Sequence, residues 1–389
     1  MRYYLNCHII RPSAPSNMNR GDDGKPKCYY TASGARRSYV SSQCLNHAYR
    51  EAWRRDGDFN NPSIRTKAVK RELMKAVAVA DPSMTEEERS HAVEVVLGLL
   101  GIKCDGKDFE KTKNAVFMSR HQYRALAEVI RKHKDLLLAE QVAEEEDGTE
   151  SAEGENDDGQ KKKKKKSKKS PAAAVLPELA DAINKNIGPE MFLKGAFLPK
   201  NTLLTVQACW QTAAMTAIND YKPTSDFYSS TDDVLDENGY LDVQEMSQNL
   251  FYEYNVLNLS ELSKGIGTEM AAEVAVKAME KVMTTLPDGM QNRFASYDMP
   301  VTALFTIRER QANLQSAFWA PTKAEDIIAD SVRRLGDEAR RMYDSFLEPP
   351  VKVYAIGKPV DLGAVEPETG RMADVLASMK KEIISLLGE

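Results

Sequence analysis

Residues 140–169 cannot belong to a core, and that divides everything else the chain can do. Positions 140–158 carry ten acidic residues and no basic one, and eight lysines then occupy nine places from 161 to 169. Ordering such a segment costs conformational entropy that its side chains cannot offset by burial. The lysine run invites a nucleic-acid or nuclear-localisation reading, but low complexity beside opposite charge reads rather as a flexible charged insertion at about 140–172, and no site is placed on it. The folded parts must be built from the sequence on either side, where the 42% of hydrophobic residues in the chain are concentrated enough to form a core.

Neither flank offers a membrane segment. No apolar run approaches the roughly 18–20 residues that a span needs, and "MRYYLNCHII" lacks the form of a signal peptide. A cytoplasmic protein with no membrane partner is the expectation. Five cysteines (Cys7, Cys28, Cys44, Cys104, Cys209) with no C-x-x-C pair argue against a disulfide framework and a zinc ribbon. Cys44 and His47 are spaced to share a helix face, but two ligands do not make a metal site. No metal and no cofactor are expected.

The net charge of −5 hides a strong asymmetry: residues 1–71 hold 14 Lys/Arg against 5 Asp/Glu. A basic face is offset by acid elsewhere, the pattern of a chain that meets an anionic polymer. In this region "YYLNCHII" (3–10) reads as a strand and "RPSAPSNMNRGDDGKPK" (11–27) as a long irregular connection. After the segment "GARRSYVSS", apolar residues at Leu45, Ala48, Tyr49, Ala52 and Trp53 follow helical spacing, with Ser41 or Ser42 as the cap and Asn46, Arg50 and Arg54 on the other face.

Further along, residues 62–138 show helical periodicity, with Thr85 or Ser83 starting one helix and Gly98 or Gly101 ending it. A helix is expected over 204–219, strands over 249–259 and 301–307, a helix capped by Thr268, and a long amphipathic helix in "TKAEDIIADSVRRLGDEARRMYDSF". Asn238-Gly239 is a hairpin turn signal. The order strand, helix, strand, strand, helix, strand with a helical insertion predicts an α+β fold, a ferredoxin-like sheet.

The sequence contains no Gly-rich phosphate loop, H-E-x-x-H or G-x-S-x-G. "LDENGYLDVQE" imitates a calcium loop, but Val234 stands where its first acid belongs, so a plain hairpin is preferred. Asp22 and Asp23 are candidate metal-assisted nuclease carboxylates, against the simpler reading of turn chemistry.

An ordered series of segments resembles one family. "HIIRPSAPSNMNRGDDGKPK", "GARRSYVSSQCLNHAYR", "STDDVLDENGYLDVQEMSQNLFYEYNVLNLSEL", "GMQNRFASYDMPVTALFTIRERQANLQSAFWAP" and "EDIIADSVRRLGDEARRMYDSF" together resemble the backbone subunit (CasC) of type I-E CRISPR Cascade effectors, within the RAMP superfamily. The likeness covers most of residues 1–55 and 200–347. Three departures stand out: Asn46 where the family usually has a basic residue, "GAF" (Gly195–Phe197) for the usual "GRM", and the absence of a His-Ala pair in "CWQTAAMTAIND".

The resemblance implies an RNA-recognition-like palm over 1–56 and 196–389, helical fingers inserted at 57–195, and a thumb hairpin at 220–246. It implies a non-catalytic subunit that binds guide RNA (crRNA), polymerises with further copies of itself and joins other Cascade subunits, and presents the guide for pairing with target DNA in antiviral defence. The alternative is a type III-like backbone ribonuclease cutting target RNA through Asp22 or Asp23.

For RNA contact the resemblance and the local chemistry mark Asn19, Arg20, Lys27, Arg36, Arg37, Ser41, Ser42, Gln43, Asn46 and Arg50. A helix N-terminus presents unpaired N–H groups and a positive dipole end to an anion, and phosphate contacts carry no sequence information, which suits a protein that must accept any guide. The competing reading has Arg36 and Arg37 solvating a sheet edge and Ser42 serving only as a cap. Phe227, Tyr228, Thr231, Asn238 and Gly239 are assigned to the thumb and to displacement of bases. Gln291 and Asn292 are assigned to RNA or inter-subunit contact.

Overall fold

The computed structural model describes residues 1–105, 108–140, 171–198, 201–235 and 238–388. Most of the charged insertion falls outside them. The chain forms two compact units, the first from residues 1–60, 192–194 and 208–389, the second from 61–191 and 195–207.

The first unit is built on one long sheet. Its strands are β1 (Tyr4–Ser16), β2 (Cys28–Tyr30), β3 (Arg36–Val40), β4 (Trp210–Thr212), β5 (Met215–Ala217), β6 (Pro223–Thr231), β7 (Asn238–Asn258), β8 (Thr302–Arg308), β9 (Lys352–Gly357) and β10 (Glu368–Thr369). The order along the sheet is β10-β9-β8-β1-β7-β5-β3-β2, with β4 and β6 also paired to β7. Its centre, β8-β1-β7-β5, is antiparallel throughout. Numbered by place in the chain, that is the 4-1-3-2 order of the ferredoxin-like fold, as expected.

Strand alternation sorts the core onto two faces. On one face Leu5, Cys7, Ile9, Phe251 and Leu257 meet helices α1 (Ser42–Asp56) and α3 (Thr268–Thr284). Helix α1 contributes Leu45, Tyr49 and Trp53, and Tyr49 stacks on Trp210 at 5.6 Å. Replacing Trp53 by Ala should cost about 3–5 kcal/mol, as for other buried aromatics. Gly57, at φ 66°, stops α1 in the left-handed conformation that only glycine adopts freely. Helix α2 (Leu259–Ile266) follows β7 directly, capped by Asn258, and α5 (Met372–Gly388) packs along α3.

The opposite face is also closed. Ile10, Leu250, Tyr252, Tyr254, Val256 and Leu304 pack beneath Phe318 and beneath Val332, Leu335 and Ala339 of α4 (Ile327–Ser345).

Several local expectations need correction. The helix expected over 204–219 is absent: these residues form β4 and β5, and earlier the strand Asn201–Val206. Their aromatic and β-branched side chains pair with β7 (Trp210↔Leu257, Thr216↔Tyr252), so tertiary pairing overrides the helical spacing. The connection expected from residue 11 begins only after Ser16, because β1 runs on against β7. Past Ile10, β1 has lost β8 as a neighbour, which is where a strand tolerates a proline such as Pro12.

The hairpin turn is likewise not at Asn238-Gly239. Thr231 pairs with Asn238 and Ser230 with Tyr240, which leaves Gly239 as the extra residue of a bulge. The chain turns before this point, where the Asp232 carboxylate accepts the Val234 and Leu235 N–H groups at 2.8 Å each. Finally, Gly267 rather than Thr268 occupies the cap position of α3, and the Thr268 hydroxyl contacts Ser263 instead.

The second unit is mainly helical, with helices Val69–Ala80, Glu86–Leu99, Arg120–Lys132 and Leu176–Asn184 around Leu73, Val77, Val96, Leu126, Ile130 and Leu179. Thr85 and Glu88 form a reciprocal capping box. Strands Ser63–Thr66 and Val116–Ser119 pair within it, an element the helical periodicity did not indicate.

Candidate nucleic-acid interface

RNA-recognition sheets present aromatic side chains that stack on bases. Here His8, Tyr252 and Tyr254 occupy the sheet face away from α1, and His8 stacks on both tyrosines, at 6.2 Å from Tyr252 and 5.1 Å from Tyr254. All three are buried, and Phe318 lies 5.0 Å from Tyr252. The chain's own residues therefore take the places that bases would occupy.

One margin of the unit is the start of α1. Ser41 caps the helix, its hydroxyl accepting the Cys44 N–H at 3.3 Å, and the first turn contains no acid. Asn19 holds this corner from the preceding loop: its Oδ1 accepts the Ser41 N–H at 2.9 Å and its carbonyl accepts the Lys27 N–H at 2.9 Å. The Cys44 thiol is pushed up by burial, with the Lys27 charge pulling against this and Asp288 adding to it. The Lys27 backbone is tied to the same corner, its carbonyl accepting the Tyr39 N–H at 3.0 Å. Ser42 is half-buried and Gln43 exposed, while Arg20 is exposed on the loop, where it bridges Pro26.

Down the helix, Gln43, Asn46 and Arg50 fall at i, i+3 and i+7 and so share one stripe. Lys194 joins it from the short segment 192–194, its ammonium donating to Asn46 Oδ1 and lying 3.2 Å from the centroid of the Trp210 ring. Sequence reasoning did not find Lys194, because 148 residues separate it from Asn46 and no motif marks it.

The two adjacent arginines part company. Arg36 is exposed, with its Nε donating to Cys28 Sγ at 3.0 Å and its guanidinium 4.5 Å from the Tyr221 ring centroid. Arg37 is 1% exposed and donates to three backbone carbonyls, Phe318 at 2.6 Å, Trp319 at 3.2 Å and Ala217 at 3.4 Å. Its side chain holds β3 to the segment that covers the sheet.

Asp22 and Asp23 are spent on the loop itself. Asp22 Oδ1 accepts the Asp23 N–H, and Asp23 Oδ1 accepts the Lys25 N–H, each at 3.1 Å. Among the described residues no three His, Cys, Asp or Glu side chains gather where they could share a metal ion.

The β6–β7 hairpin carries the second group of residues. Phe227 and Tyr228 project from opposite faces. Phe227 is 67% exposed, as are its neighbours Leu241 and Val243 by more than half. Tyr228 lies beneath the Arg293 guanidinium, 4.4 Å from its ring centroid, and its hydroxyl donates to Asp242 and accepts from Arg293. Thr231 is exposed near the end of β6. Arg293 belongs to a one-turn helix, Gln291–Phe294, flanked by Met290 (φ 60°) and Ala295 (φ 46°), two non-glycine residues in the left-handed region. Such strain persists only where surrounding contacts enforce it. Gln291 supplies some of them: it is buried and donates to the carbonyls of Pro287 and Ser296, while Asn292 is exposed.

The folded chain is similar to chains of solved assemblies. One, from a structure described as a CRISPR RNA-guided surveillance complex, pre-nicking, is 21% identical with a TM-score of 0.78, over 98% of this chain and 100% of that one. Another, described as a CRISPR RNA-guided surveillance complex, is 18% identical with a TM-score of 0.69, over 97% and 99%. At this identity the likeness concerns the fold, and it extends over both units. No curated protein matches. The profile of one family spans residues 5–377, nearly the whole chain, and the protein belongs to that family, the CT1975-like proteins.

Proposed function

We propose that this protein is a non-catalytic subunit of a CRISPR interference complex in the cytoplasm, one of several copies arranged along a guide RNA that hold it for pairing with target DNA. The observation that carries the reading is the start of α1: a helix N-terminus with no acid in its first turn, capped by Ser41 and braced by Asn19, which also holds the Lys27 backbone, with Gln43, Asn46 and Arg50 below. Its donors suit a phosphodiester. Likeness to chains of RNA-guided surveillance complexes supports the same reading. The covered sheet face supports it as well, since a backbone-only contact leaves the bases free to pair. In this reading the hairpin acts by shape. Its upper part is acidic, which disfavours attraction to phosphate, and Phe227 offers an open ring to wedge against a base.

The test is to co-express the protein with its partner subunits and ask whether RNA of uniform length copurifies. RNA-free protein would refute the proposal. Incubating the assembled complex with complementary RNA and magnesium decides the catalytic question: regular cuts abolished by Asp23→Ala would replace the non-catalytic reading with that of a ribonuclease.

A further inference from the structure

Asn46 sits in the middle of the α1 stripe, where a neutral amide can either donate or accept. An amide that turned its oxygen outward would repel a phosphate. The structure decides which way it turns. Lys194 Nζ donates to one end of the Asn46 amide, and the Thr212 hydroxyl lies 3.0 Å from the same atom. Both neighbours, the Lys194 Nζ and the Thr212 hydroxyl, donate to this one atom, which is therefore the oxygen. The Nδ2 group is thereby directed away from Lys194, and among the described residues nothing accepts from it. Asn46 is itself only half-buried.

Lys194 is held firmly enough to impose this. Its ammonium lies 3.2 Å from the centroid of the Trp210 ring, with Tyr49 at 5.6 Å and Trp53 at 5.7 Å. Those rings belong to the core that anchors α1. Burial, and then the neighbouring Arg50, disfavour the charged form of Lys194, with Glu253 acting in the opposite sense. Asn46 Oδ1 and, at 3.4 Å, the Thr212 hydroxyl accept from Lys194 Nζ, and a donor held at the amide oxygen polarises the amide toward donation.

We propose that Lys194 is a positioning residue: it locks Asn46 with its amide N–H groups outward, making a neutral side chain a dedicated donor to the RNA backbone. The inference rests on the RNA-binding reading above and adds to it a residue and a means of selecting an anion. It also explains how a helix face whose central position lacks a charge serves a phosphate.

The test uses the full chain and a labelled single-stranded RNA in filter binding at fixed salt, with thermal melting in parallel. Lys194→Met keeps the aliphatic stem against Trp210 and removes the charge and the donor. It should weaken binding on the order of tenfold, the loss of one charge-supported hydrogen bond. Asn46→Asp gives Lys194 an ion-pair partner, so the melting temperature should hold or rise while affinity falls by at least as much. Asn46→Lys alone sets two ammonium groups side by side and should bind poorly, whereas the Asn46→Lys, Lys194→Met double variant should recover affinity to within about threefold of the original. A Lys194→Met protein that binds RNA as the parent does, a double variant no better than Asn46→Lys, or affinity losses that merely track lower melting temperatures would each overturn the inference. If the unaltered protein and its assembled complex hold no RNA, it is the RNA-binding reading that fails.

Discussion

Two adjacent arginines that look equivalent in the sequence should behave oppositely when replaced. Arg37→Ala removes a guanidinium that is 1% exposed and leaves the carbonyls of Phe318 and Trp319 without their donor, with that of Ala217 at the margin of bonding distance. Bonds from a charged donor contribute about 1.5–3 kcal/mol each. Against this stands the several kcal/mol spent in keeping the ion out of water. A net loss of about 3 kcal/mol follows, which for a unit of this size lowers the melting temperature by roughly 6–12 °C.

Arg36→Ala forfeits only a sulfur contact and an exposed stacking contact with Tyr221, so stability should change by less than about 1 kcal/mol. If Arg36 meets a phosphate, its removal should reduce the log–log salt dependence of RNA affinity by about 0.7. Thermal melts by circular dichroism and filter binding across a salt series separate the two effects. An Arg37→Ala protein that melts with the parent yet binds RNA weakly would refute the reasoning, since it would make Arg37 a ligand contact rather than a brace.

Acid should loosen the sheet through His8. Burial, then Arg308, holds its pKa down at about 3 against a usual 6.5, so as pH falls the unfolded chain takes up the proton first. Stability is therefore complete above about pH 6.5 and should drop by about 2 kcal/mol between pH 7 and pH 5; urea titrations of His8→Gln should lose that slope. Arg293→Ala should release the hairpin base by removing the contacts with Tyr228 and Gln244. An effect of about 1 kcal/mol predicts roughly fivefold faster amide exchange in β6 and the facing part of β7, with the rest of the sheet unchanged; uniform acceleration would contradict a local clasp.

How much of this was legible beforehand depends on the range of the forces involved. The start of α1 was readable because a cap, an apolar spacing and a basic face all lie within twenty residues, and Ser41 does cap the helix. The α+β class was readable as well, although the second strand of the 4-1-3-2 centre falls where a helix was expected. The ordered series of short motifs indicated the family. Elements whose conformation is set by a distant partner escaped. Residues 210–217 carry an apolar spacing compatible with a helix, and they become strands because β7 offers them a ladder. Asn238-Gly239 has the chemistry of a turn and becomes a bulge because the register of β6 against β7 places it in the ladder. Arg36 and Arg37 differ in fate only because strand alternation sends one side chain to solvent and the other beneath Phe318. Sequence by itself determined what short-range chemistry determines: the caps at Ser41 and Thr85, the first strand and the helix after it, and a basic first segment. The direction each polar group faces was left to the tertiary structure, because Lys194, Phe318 and Arg293, which hold Asn46, Arg37 and Tyr228, lie 148, 281 and 65 residues from them along the chain, and only packing brings them within hydrogen-bonding distance.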